Sequence, residues 1–133
     1  MTIMVPTASK QTLASFALGV VTPGNQIFRL FVNNITPALT DTAATYTEMS
    51  TLGYAAISLN KASWVQTATG GIDSSGQAQI TWTFTAGTAV TVYGYFVTDT
   101  TTGLLLWSEL APSPTVVQNT GDQIKITPTI TFT

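Results

Sequence analysis

Ala78-Gln79-Ile80-Thr81-Trp82-Thr83-Phe84-Thr85 is the stretch on which the fold class turns. Large apolar side chains at 80, 82 and 84 alternate with threonines, and a period of two puts successive side chains on opposite faces of a pleated strand. The apolar set then looks into a core and the threonines look into water, as in an antiparallel sheet with one wetted face. Trp82, in phase with Ile80 and Phe84, is a core residue on this reading.

The same period recurs on both sides. Residues 26–32 read as a strand that stops at Asn33-Asn34, residues 52–59 as a second, and residues 62–67 as a short third carrying Trp64. Residues 90–97 are β-branched and aromatic on both faces, which predicts a central strand, with Gly94 as a bend or close approach. Residues 104–110 return as a strand that Pro112 and Pro114 break, and residues 124–132 form a long last strand in which Pro128 marks an edge or bulge. Turn chemistry separates them at Thr69-Gly70-Gly71, Asp73-Ser74-Ser75-Gly76, Ala86-Gly87, residues 99–103 and Asn119-Thr120-Gly121-Asp122. Residues 35–51 make a long connection, a place where function often sits. Residues 1–25 form an N-terminal arm. In it Ser9 caps a short helix with Leu13, Phe16 and Ala17 on one face, and Gly19 ends it. Seven or eight strands without βαβ alternation predict one all-β domain over residues 1–133. Its architecture is an antiparallel two-sheet β-sandwich, jelly-roll-like, with a short N-terminal helix.

Composition narrows the chemistry. The 133 residues include no cysteine and no histidine, which removes thiolate nucleophiles, imidazole acid–base work and the usual zinc and haem ligands. Four Lys and Arg against six Asp and Glu give a net charge of −2, with no basic run to neutralise several phosphates, so nucleic acid is not an expected partner. No segment has the apolar length of a membrane span. Only 8% of residues are charged, against about 25% in an ordinary soluble domain. Threonine, present 27 times, fills the gap with hydroxyls. A surface with so little charge favours association with other subunits.

The six carboxylates are Asp41, Glu48, Asp73, Asp99, Glu109 and Asp122, and no spacing sets two of them as an acid–base pair. Asp73, Asp99 and Asp122 fall in turns, where a short acid bonds its own backbone. No EF-hand spacing, Gly-x-Ser-x-Gly elbow or phosphate cradle is present. The reading is therefore non-enzymatic, with no catalytic, cofactor or metal residues. The aromatic residues Tyr93, Tyr95, Trp64 and Trp107 are the candidate interface, with Tyr93 and Tyr95 in phase on one face of their strand.

Two longer blocks, LFVNNITPALTDTAATYTEMSTLGYAAISLNKASW at 30–64 and VYGYFVTDTTTGLLLWSELAPSPTVVQNTGDQIKITPTITF at 92–132, carry a resemblance. With their NNITPA turn, ATYTE and GYAA blocks and NTGDQIKITP ending, they resemble a family of small virion structural proteins of tailed bacteriophages. The resemblance implies a capsid cement or decoration protein that binds the outer shell and bridges subunits of the major capsid protein. It would be assembled in the host cytoplasm and reside on the capsid surface of the virion. Binding at symmetric shell sites leads us to expect a homotrimer. The alternative is a tail-fibre or receptor-binding, glycan-binding β-sandwich module.

Overall fold

A computed structural model describes residues 4–69 and 72–132. Among the described residues one helix, α1 (Thr7–Ala17), precedes nine strands: β1 (Gln26–Phe31), β2 (Ile57–Leu59), β3 (Val65–Thr69), β4 (Ile72–Gly76), β5 (Ile80–Thr83), β6 (Val90–Asp99), β7 (Leu105–Val117), β8 (Gln123–Ile126) and β9 (Thr129–Phe132). All strand pairings are antiparallel. The fold is all-β with a short N-terminal helix, as the sequence predicts.

The largest sheet has the order β2-β1-β6-β7, and β6 lies inside it because both its faces are apolar. Phe28, Leu30, Tyr95, Val97 and Trp107 project from one face. They meet Ile80 and Trp82 of β5 and the half-buried Ile124, Ile126 and Ile130 of β8 and β9. The second layer is thus divided between two small sheets, β5-β8 and β3-β4-β9. The opposite face of the large sheet carries Phe31, Phe96 and Leu105, covered by Tyr46 and partly by Ile35 and Ala43 from the long connection. Tyr46 stacks on Phe96, with ring centroids 5.1 Å apart and planes at 17°. Burying each such ring contributes about 1.5–3 kcal/mol.

Several local expectations change. Ser9 does not cap α1: the helix begins after Pro6, and Ser9 sits a turn inside, buried, donating its hydroxyl to the Leu105 carbonyl. That bond fastens the helix to β7. Gly19, at φ 70, ends the helix as expected. Residues 52–59 supply strand only from Ile57, because Leu52 and Gly53 form a turn at φ 58 and 73. The left-handed conformation costs Leu52 about 1–2 kcal/mol, offset by burial of its side chain. Residues 73–76 are not a turn but part of β4, because β3 and β9 pair with that segment on either side. The turn assigned to Gly70-Gly71 lies outside the described residues.

Pro128 does more than mark an edge. Having no N–H, it separates β8, which pairs with β5, from β9, which pairs with β4, so one alternating run serves two sheets. Its carbonyl accepts from the Gln77 amide at 3.0 Å. Pro112 and Pro114, conversely, do not end β7. Pairing resumes from Gly94↔Leu110 to Val92↔Thr115, so residues 111–114 bulge opposite Tyr93 alone. An outer strand tolerates this, since its free side needs no donor.

Candidate functional site

The bulge decides where the candidate aromatics go. Tyr93 and Tyr95 are two residues apart, but the register shift between Val92 and Gly94 turns them to opposite faces of the sheet. Tyr95 enters the main core and Tyr93 borders the smaller one. Trp107 is likewise a core residue, 5% exposed, set edge-on to Phe28 at 5.9 Å. Half-buried Trp64 packs edge-on against Trp107 at 6.1 Å, and its indole N–H donates to Gln26 Oε1 at 2.9 Å. Of the four, only Tyr93 and Trp64 keep surface to offer a partner. Period-two counting misses this because it assumes an unbroken ladder.

Carboxylates hold the loops in place. Asp99, 1% exposed, accepts from the amides of Gly24 (2.7 Å), Thr101 (2.9 Å) and Thr102 (2.7 Å) and from the Thr102 hydroxyl. Asp122 accepts from the amides of Gln118 and Asn119, both at 2.8 Å, and these two bonds hold its carboxyl below the usual range. The turn at 119–122 is as expected, but its acid bonds backwards along the chain. Asp41 accepts from the Ala38 amide and from Tyr46, whose oxygen in turn accepts from the buried Ser108 hydroxyl at 2.7 Å. Glu48 pairs with Arg29 at 2.6 Å and accepts from Tyr54 at 3.0 Å, while the Tyr54 oxygen accepts the Leu30 amide. The Tyr54 bond satisfies β1 beyond the reach of β2. The side chain of Asp73 is outside the described residues. No group of three potential metal-binding side chains occurs among the described residues.

Three tyrosines are held neutral by these surroundings. Burial pushes the phenols of Tyr46, Tyr54 and Tyr95 well above the ordinary value of 10.0, and the neighbouring Asp41, Glu48 and Glu109 respectively push in the same direction. Their folded-state pKa lies above the unfolded one. The associated stability is therefore full below about pH 10 and falls as pH climbs above it. Alkaline titration followed by circular dichroism and phenolate absorbance should show these three ionising only as the sheet structure is lost.

Two surface features complete the description. The end of α1 exposes apolar side chains, Leu18 by 79% and Val20 by 73%, in a chain with few charges. A groove of about 270 Å³ opens between the β7 bulge and β8, with Leu30, Val92 and Tyr95 as its floor. Glu109 stands at its end, 5% exposed, accepting from the Tyr95 hydroxyl through Oε2. The groove is not visible in local sequence pattern, because segments far apart in the chain make it. No family model, curated protein or solved structure matches the chain.

Proposed function

We propose that the protein is a non-enzymatic structural component of a tailed-phage particle, a capsid cement or decoration protein that binds the outer shell and braces neighbouring major capsid subunits. One observation carries the reading beyond resemblance. The described carboxylates are bound into turns and tyrosine networks, while the surface presents neutral hydroxyls and exposed apolar side chains such as Leu18, Val20 and Val116. Such a surface suits adhesion through neutral contacts, which salt screens weakly. Symmetric shell sites favour a closed ring of copies, here a homotrimer. The glycan-binding alternative needs several solvent-facing aromatic platforms, and burial of Tyr95, Trp82 and Trp107 weighs against it.

Quantitative mass spectrometry of purified particles tests the assignment. We expect a copy number equal to, or a simple symmetry fraction of, that of the major shell subunit. A handful of copies per particle would move the protein to the tail, and absence from particles would reject a virion role. Particles lacking the chain should also rupture at lower temperature, because a bound partner stabilises the assembled shell by mass action.

A further inference from the structure

From the groove we infer a second recognition site: it binds an extended segment of a partner protein, adding it as a strand along β8 and seating one lysine or arginine side chain on Glu109. This holds whether or not the chain sits on a phage shell. Three independent observations meet there. The first is the carboxylate itself. Glu109 is nine-tenths buried, and Oε2 takes the Tyr95 hydroxyl, whereas Oε1 has no hydrogen-bond partner among the described residues. Glu109 is one of the residues that line the groove. A carboxylate in apolar surroundings with one oxygen left without a donor gains most from a cation that brings its own N–H donors.

The second observation is backbone. Phe84 N–H donates to the Asp122 carbonyl at 2.9 Å, which makes that opposed pair a hydrogen-bonded one. Alternation along the antiparallel ladder then makes Trp82–Ile124 and Ile80–Ile126 bonded pairs and Thr81–Lys125 a non-bonded one. The Lys125 N–H and C=O therefore point away from β5, into the edge that lines the groove. No hydrogen bond from either reaches another described residue. An unpaired donor and acceptor on one strand residue is the template used when a peptide extends a sheet.

The third is shape. The opposite wall is the bulged backbone of residues 111–113, and apolar side chains floor the space, so a strand can lie between the walls with alternate side chains facing down. A free amine would satisfy the carboxylate but leave the edge unpaired. An acidic segment would meet Glu109 as a like charge.

Three blocked heptapeptides of alternating valine and threonine, with lysine, norleucine or glutamate at the centre, test the proposal on the full chain by amide NMR titration. We expect the lysine peptide to shift the amides of Lys125 and Glu109 and to bind about tenfold more tightly than the norleucine peptide, as one charge-assisted hydrogen bond requires. The glutamate peptide should bind least. Glu109→Gln keeps an acceptor for Tyr95 and should erase the lysine advantage. Lys125→Pro removes the outward N–H without touching the β5 ladder and should weaken all three peptides. The proposal is overturned if no peptide binds, if the shifts fall elsewhere, or if the lysine advantage survives Glu109→Gln. Butylammonium binding as tightly as the lysine peptide would overturn the strand-addition part.

Discussion

Phe28→Ala should destabilise the fold by about 3–5 kcal/mol, the range for removing a fully buried aromatic ring and leaving a cavity. Phe28 is 0% exposed and is placed where three rings converge: Tyr95 stacks on it at 5.8 Å, and Trp107 meets it edge-on at 5.9 Å. Its backbone is equally fixed, opposite Ile57 on one side and Val97 on the other. The neighbours that would have to collapse into the void are strand residues held by ladders, so relaxation is limited. A domain of this size has about 5–15 kcal/mol in total. The variant should therefore show a large drop in urea midpoint and altered near-ultraviolet dichroism from Trp107. Leu18→Ala, at a side chain 79% exposed, should leave the midpoint nearly unchanged.

Gly94→Val should be as damaging for the opposite reason. A Cβ built on Gly94 would overlap the Glu109 carbonyl oxygen and come within 2.8 Å of Phe31 Cε1 and Cζ. The first obstacle is backbone of the adjacent strand and the second a ring that is itself fully buried, so rotation of a flexible side chain offers no escape. Overpacking of this kind costs typically 1–3 kcal/mol, and about 3 kcal/mol or more is expected where backbone must move. Denaturant unfolding provides the comparison with Gly103→Ala. At that position φ is 70 and nothing lies within 4 Å, so only the left-handed backbone is strained, at about 1–2 kcal/mol. If Gly94→Val cost no more than Gly103→Ala, close approach of β6 and β7 would not be what glycine provides.

Much of the fold is legible in the sequence because period-two alternation is a local signal. The phase of Ile80, Trp82 and Phe84 gives their burial directly, and apolar residues on both faces of residues 90–97 place β6 inside a sheet. What escapes is set by distant partners. Residues 73–76 carry turn residues, yet two neighbouring strands recruit them into β4. Ser9 has a good capping side chain, but a buried carbonyl on β7 claims it. The bulge at 111–114 reverses the facing of Tyr93 relative to Tyr95, and no count along β6 alone contains that information. The groove is less legible still: Glu109 ends an apolar run, and its chemical character comes from Tyr95, the bulge and the edge of β8.

The order β2-β1-β6-β7 also bears on how the chain reaches its native state. Gln26 is paired with Asp99, so the central ladder closes a loop containing most of the domain. The entropy of that closure must be met before β1 and β6 return any hydrogen bonds, which places the chain among the slow, non-local folders of the millisecond-to-second range. During synthesis β1 emerges well before its central partner, with Phe28, Leu30 and Phe31 uncovered. The hairpin of β6 and β7, the more local pairing, should therefore form before β1 is captured. Until that capture the nascent chain depends on its charge-poor, threonine-rich segments staying solvated and apart.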